Sequence, residues 1–387
     1  MKWEKVKLGN VTDSCLGKML DQNKNKGDYQ PYLANVNVRW GEFDLEDLPL
    51  MKFEESEQER YELKYGDLVI CEGGEPGRCA IWKEQIPNMK IQKALHRVRV
   101  HDCLDYRYLF YWFLLAGKTG ELDQYFTGAT IKHMPGQKLK EVVIDKPPLE
   151  IQHRIADILS AYDDLIENNQ KQIKLLKEAA QRLYKEWFVN LRFPGHENTK
   201  IVDGVPEGWK KERLVDIAEI QYGYAFDGTL FNADKNGTPI IRIRNIPQAE
   251  TMDYTTEHVS ENYLVQNGEI IVGMDGEFHI NAWAGNTAYL VQRVCCIRPK
   301  NTEIKGWLLQ AIYEPIKFFE RTVVGATVAH LGKKHLDSIY LLTSPEEFYE
   351  PFKTFFDKRL LLMNQNRKLR EARDRLLPKL MSGEVEV

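Results

Sequence analysis

The sequence has no apolar run near the roughly 18 residues needed to span a bilayer. Its start, Met1-Lys2-Trp3-Glu4-Lys5, lacks the hydrophobic region of a secretory signal. The expectation is a cytoplasmic protein with no membrane partner. Six cysteines are present (Cys15, Cys71, Cys79, Cys103, Cys295, Cys296), without a Cys-x-x-Cys spacing, and adjacent Cys295-Cys296 lies in an apolar strand-like run suited to buried, reduced thiols. Nine histidines form neither a His-x-x-x-His pair nor a His/Cys quartet, so no zinc or other metal site is expected. A net charge of −4 excludes a surface that grips nucleic acid over its whole extent, because phosphate binding relies on Lys and Arg. A basic face, or partners that supply the phosphate grip, stays open.

Catalytic signatures are also missing. Gly73-Gly74-Glu75-Pro76-Gly77-Arg78 has neither the lysine nor the hydroxyl of a phosphate loop. It reads as an ordinary loop, with Arg78 as the side chain suited to phosphate or a groove. There is no Gly-x-Ser-x-Gly elbow and no His-Glu-x-x-His. The single Pro-Pro, in Lys146-Pro147-Pro148-Leu149, ends a strand and starts a helix; it lacks the Asn/Asp-Pro-Pro-Tyr/Phe signature of amino-methyltransferases. The chain is expected to be non-catalytic and to bind no cofactor itself.

What the chain does contain, it contains twice. Gly128-Ala129-Thr130-Ile131-Lys132-His133 returns as Gly325-Ala326-Thr327-Val328-Ala329-His330, and the same spacing carries Pro148 onto Pro345, Asn169 onto Asn366 and Leu183 onto Leu380. Upstream, Trp3 matches Trp209, Pro31 and Asn37 match Pro239 and Asn245, and Gly66-Asp67 matches Gly268-Glu269. Such a tandem duplication predicts a pseudo-two-fold molecule, suited to a target that itself has two halves.

Each copy divides into a strand-rich globular part and a long helix, an α+β organisation. Strands are expected at Pro31 to Val38, after Gly66-Asp67, over Ala94 to Val100, and at Ile240 to Arg244, after Gly268-Glu269 and over Val294 to Ile297; helices are expected at Tyr108 to Ala116 and Trp307 to Phe319. After Pro148, Ile151, Ile155, Ile158, Tyr162 and Leu165 recur at three and four, as do Ile173, Leu176, Ala180, Leu183 and Trp187. The two sets are out of phase at Asn168-Asn169, which predicts a four-residue stutter. The second copy repeats the pattern with Phe352, Phe355, Leu362, Leu369, Leu376 and Leu380. Each helix has roughly 35 to 40 residues, on the order of 55 Å. Antiparallel pairing would bring Asn169 and Asn366 face to face near the pseudo-two-fold axis, where a polar pair fixes helix register. The expected segments are 1–146, a helix at 147–190, a connector at 191–208, 209–343, and a second helix at 344–387.

Basic and amide residues at strand edges and loops are the binding candidates: Asn37, Arg39, Arg78 and Arg97 in the first copy, and Arg242, Arg244 and Asn245 in the second. Alternation puts Arg242 and Arg244 on one strand face and the isoleucines on the other. The Gly-Ala-Thr turns add Thr130, Lys132 and His133, and Thr327, His330, Lys333 and Lys334, as phosphate anchors or as purely structural turns.

The order of globular part, Gly-Ala-Thr turn, Pro147-Pro148-Leu149-Glu150-Ile151-Gln152 entry into a helix, Phe193-Pro194-Gly195-His196-Glu197, Asp203-Gly204-Val205-Pro206-Glu207-Gly208-Trp209 and full repetition closely resembles the DNA-specificity subunits of Type I restriction-modification systems. The likeness covers essentially the whole chain; Ser344-Pro345-Glu346-Glu347-Phe348 departs from the usual helix entry in the second copy. The resemblance implies two target-recognition domains, each reading one half of a split, asymmetric sequence in double-stranded DNA, joined by two antiparallel coiled-coil helices. It implies docking of two modification subunits that methylate adenine with S-adenosylmethionine, and of restriction subunits using ATP and magnesium. The basic run Arg367-Lys368-Arg370 to Arg373 and Arg375 would face those partners or DNA phosphate. Alternatives are the specificity part of a methylation-only or fused system, and a coiled-coil scaffold without DNA.

Overall fold

The computed structural model describes residues 3–21, 25–322 and 329–387. Packing groups them into two compact units: Met1–Asp164 together with Arg370–Val387, and Leu165–Leu369. The expected segmentation gave each long helix a segment of its own, whereas here each helix contributes one half to each unit.

In the first unit a four-stranded antiparallel sheet runs in the order Thr12–Leu16, Leu95–Val100, Leu68–Cys71, Cys79–Ile81. Its central strand Leu68–Cys71 is buried on both faces, as its unbroken apolar sequence requires. A three-stranded sheet orders Leu50–Phe53, Asp28–Leu33 and Lys90–Ile91, and the ribbon Glu4–Lys7 with Val143–Lys146 closes the domain. Helix Tyr106–Thr119 packs on the larger sheet; Asp105 caps it by accepting from the amides of Arg107 and Tyr108.

The second unit repeats the plan. Its four-stranded sheet orders Ala218–Tyr222, Val294–Pro299, Ile270–Gly273 and Ile280–Ala282, and Lys210–Arg213 pairs with Tyr340–Thr343. Two expectations change here. The helix anticipated at Trp307 to Phe319 is two helices, Lys305–Ala311 and Tyr313–Thr322, because Pro315 has no amide to donate back to Ala311 and fits only in a first turn. The strand expected through Arg244 ends at Ile241, and Ile243–Asn245 is a 3₁₀ turn, as is Asn35–Asn37 in the first unit.

The long helices are Leu149–Tyr184 and Glu350–Ser382. In the second unit they run antiparallel: Asn169 Nδ2 donates to Asn366 Oδ1 at 2.9 Å, and the Tyr184 ring lies 6.5 Å from that of Phe352. In the first unit Arg373 Nη1 meets Asp163 Oδ1 at 2.5 Å, and Ile155 and Leu159 share a core with Leu377 and Leu380. The expected stutter is absent. Ile158 and Leu165 are 37% and 52% exposed, while Gln152, Ile155, Leu159, Ile166, Asn169 and Ala180 are buried. That is one uninterrupted heptad seam through Asn169. Gln152 keeps its place in it because its side chain accepts from the Asp105 amide at 2.9 Å and donates to the carbonyls of Pro147 and Cys103 at 2.8 and 3.2 Å.

Candidate nucleic-acid interface

Several candidates hold the fold together. Asn37 Oδ1 accepts from the Ala34 amide at 2.9 Å and Asn245 Oδ1 from the Arg242 amide at 2.8 Å, so the matched asparagines close the same 3₁₀ turn in the two copies. Asn37 is buried and also donates to the Asp44 carbonyl. Arg97 is buried too, its Nη1 donating to the carbonyls of Glu59, Arg60 and Glu62 at 2.8 to 3.3 Å. Asn37 and Arg97 therefore face the interior, contrary to the expectation of a binding role. Neighbouring Arg99 grips buried Asp67 through two contacts of 2.7 Å, and Arg298 repeats the pairing with Glu269. Asp67 and Glu269 each also accept from the amide three residues earlier, closing the Lys64 and Gln266 turns.

Others reach the surface. Arg39 is exposed and donates to the carbonyls of Val36 and Val38. Arg78 is tethered, Nη2 to the Asn35 carbonyl and side chain at 3.1 and 3.2 Å and Nη1 to Glu75 at 3.2 Å. Thr130 and Lys132 are exposed and line a cleft of about 600 Å³ with Trp40, Gly74, Glu75 and Phe126. Lys132 Nζ lies 3.3 Å from Asp123 and 5.7 Å from the centre of the Phe126 ring. His133 exchanges backbone hydrogen bonds with Thr127 and bridges to Gly73, which ties the Gly-Ala-Thr turn to the glycine loop.

In the second unit, Arg242 and Arg244 do not share a strand face. Arg242 stands over the Phe231 ring at 5.6 Å, and exposed Arg244 pairs with Asp253. Burial raises the Asp253 carboxyl, but hydrogen bonds from Arg244 and Asn245 outweigh it and hold the group below its ordinary range. Lys333 and Lys334 are exposed on the short helix Lys333–Asp337. Thr327 lies outside the described residues.

His330 belongs to a second cleft, of about 540 Å³, with Tyr222, Gly223, Met274, Gln292 and Arg293. Asp275 joins two of these residues, with Oδ1 2.6 Å from Nδ1 of His330 and Oδ2 against the Arg293 guanidinium. Sequence reasoning found His330 and missed Asp275 and Arg293. Aligning the two copies residue by residue would have exposed them, since Gly73 and Ala94 stand at the matching places. The basic run also changes: Arg373 points inward to Asp163. Burial disfavours its charge, but the carboxylates of Asp163 and Asp374 more than restore it.

Burial lifts the Cys71 thiol to about 11 and that of Cys295 to about 12, which leaves both inert. Among the described residues no group of three His, Cys, Asp or Glu side chains could hold a metal ion, and no helix is long and apolar enough to cross a membrane.

Comparison with known proteins gives these clefts a context. The family model described as the Type I restriction modification DNA specificity domain matches residues 1–178 and again 206–347. The Type I restriction enzyme MjaIX specificity subunit of Methanocaldococcus jannaschii is 28% identical over 340 residues, covering 83% of this chain and 78% of that one. The EcoBI specificity subunit of Escherichia coli is 31% identical over 142 residues, 36% of this chain and 30% of its own length. A crystal structure of the S subunit of a Type I restriction-modification system from M. genitalium shares the fold, with a TM-score of 0.57 at 16% identity over 98% of this chain and 96% of that one. With its family's model matched by both copies of the duplicated domain, the chain belongs to the Type I restriction-modification DNA specificity family.

Proposed function

We propose that the chain is the sequence-reading, non-catalytic subunit of a cytoplasmic Type I restriction-modification complex, in which each globular domain reads one half of a split, asymmetric DNA target. The observation that carries this reading is the duplication: two domains keep one backbone plan while differing in the side chains around their clefts. Thr130 and Lys132 in the first domain, and His330, Lys333 and Lys334 in the second, serve as phosphate or base contacts, as do Arg39, Arg78, Arg242 and Arg244. Asn169 and Asn366 fix the register of the helix pair that sets the unread spacer. Two modification subunits dock on the helices, bring S-adenosylmethionine and adenine methylation, and help enclose the DNA, which accommodates an acidic reader. Restriction subunits add ATP- and magnesium-dependent cleavage.

The test is co-expression of the chain with a modification subunit in a methylation-free host, followed by methylome sequencing. A two-part motif with methylated adenine in each half supports the reading. Methylation of a continuous site, or no gain of methylation by an assembled complex, overturns it.

A further inference from the structure

The two domains share their backbone frame down to single hydrogen bonds, and within it two matched positions that carry a small residue in the first domain carry a charged one in the second. After the first strand of each four-stranded sheet comes a glycine, Gly17 or Gly223, where an added Cβ would collide with the carbonyl oxygen of Gln92 or Val291. Its amide donates to Leu95 in one domain and to Val294 in the other, at 2.9 and 3.0 Å. The residue before the long strand is left-handed in both, Ala94 at φ +86° and Arg293 at φ +77°. Its carbonyl accepts from Glu72 or from Met274, at 2.8 Å each. The next residue along, Gly73 or Asp275, bridges to His133 or His330. Within this common frame the first domain has glycine and alanine, and the second has Asp275 and Arg293.

The turn does not call for an arginine. Left-handed backbone favours glycine or asparagine, and alanine closes the same turn in the first domain. The Arg293 side chain is 55% exposed at the mouth of the 540 Å³ cleft, beside Tyr222, Gln292 and His330. Asp275, only 18% exposed, touches both Arg293 and His330 and so orients the guanidinium and the imidazole. The contact to Asp275 uses one guanidinium nitrogen, Nη1. A guanidinium held by a carboxylate presents a planar fork, the geometry that pairs with O6 and N7 of guanine in the major groove.

We infer that Arg293, oriented by Asp275, is a specificity-determining side chain that contacts a guanine in the half-site read by the second domain; the inference rests on the function proposed above. Phosphates are alike in both half-sites, so an anchor for phosphate would serve both copies of the frame equally. Base sequence differs between half-sites, and so do the residues that read it.

The experiment uses the full chain assembled with its modification subunits and a duplex library randomised around the wild-type motif. In Arg293→Ala, which installs the residue of the first domain, one guanine requirement relaxes by about 5- to 100-fold while the other half-site and the spacer stay as they were. Arg293→Gly removes the same side chain and relaxes the left-handed backbone, so it provides the readout should the alanine variant unfold. Asp275→Asn keeps the shape and weakens the fork's anchor, and relaxes the same position to a smaller degree. An assembled variant with unchanged base preference overturns the inference. So does methylation weakened evenly at every site, which marks a phosphate contact. A wild-type complex with no split motif overturns the parent reading as well, and is distinguishable because it fails before any substitution is made.

Discussion

Replacing the asparagine pair in the helix seam separates register specification from stability. Asn169 and Asn366 are 7% and 3% exposed, joined by the 2.9 Å bond, and Asn366 Nδ2 also reaches the Ile166 carbonyl at 3.3 Å. Asn169→Leu strips Asn366 Oδ1 of its donor inside an apolar seam, and Asn366→Leu strips Asn169 Nδ2 of its acceptor. Each orphaned buried group costs about 1–3 kcal/mol. The double leucine variant leaves no orphan and adds two side chains suited to a heptad seam, so its stability returns to within about 1 kcal/mol of the parent or exceeds it. Native-state hydrogen exchange of the full chain reads this locally at the amides of residues 166–173. Each single variant should exchange about 5- to 100-fold faster there, and the double variant at or below the parent rate. A double variant that loses the sum of the two single effects would show that the pair contributes by packing rather than by mutual hydrogen bonding, and would refute the reasoning.

Three further outcomes are expected. Burial depresses the pKa of His96 below its usual 6.5, against the opposing pull of its 3.0 Å contact with the Met134 carbonyl. The neutral ring therefore contributes stability that is complete above about pH 6.5 and lost as pH falls through the folded pKa, so His96→Gln should flatten the acid limb of a melting-temperature profile below pH 6.5; an unchanged slope refutes this. Arg359 donates to Asn281 at 2.5 Å, while its Nε has no partner among the described residues and burial disfavours its charge. Arg359→Met should leave the melting temperature unchanged or raise it by about 2–4 °C, on the order of 1 kcal/mol; a fall of about 5 °C would count against it. Inserting seven residues into each long helix beside the asparagines preserves the heptad seam and adds about 10 Å, close to three base-pair steps. Methylome sequencing should then show the same half-sites farther apart, and a folded complex that keeps the original spacing shows that the helices are not the ruler.

The duplication, the pairing of the helices and the buried strands were legible because backbone chemistry repeats wherever sequence does. The phase of the helix seam was not. Ile158 and Leu165 compete with Leu159 and Ile166 for the same role, and counting apolar residues favours the former, since Gln152 looks polar. Its three tertiary hydrogen bonds reverse that choice, and no periodicity reports them. Arg242-Ile243-Arg244 misled in a similar way: it alternates like a strand, but Asn245 Oδ1 takes the Arg242 amide and closes a turn. The matching Asn37 was the available signal. Of the candidate contacts, Asn37 and Arg97 were lost to the interior because arginine and asparagine also satisfy buried carbonyls and amides, and composition does not distinguish the two uses.

The division of the molecule into units also has a bearing on the order in which it folds. The second unit is one continuous stretch, Leu165–Leu369, whereas the first is completed only by Arg370–Val387, whose Leu377, Leu380 and Met381 enter its core and whose Met381 carbonyl accepts from the Trp3 indole at 3.1 Å. During synthesis, residues 1–164 leave the ribosome first and finish last, waiting for a segment more than two hundred positions downstream. The domain made second can close at once, while the domain made first holds an uncovered apolar helix face until the final turns arrive. A nonsense mutation near codon 370 would therefore strike the amino-terminal domain and spare the carboxy-terminal one.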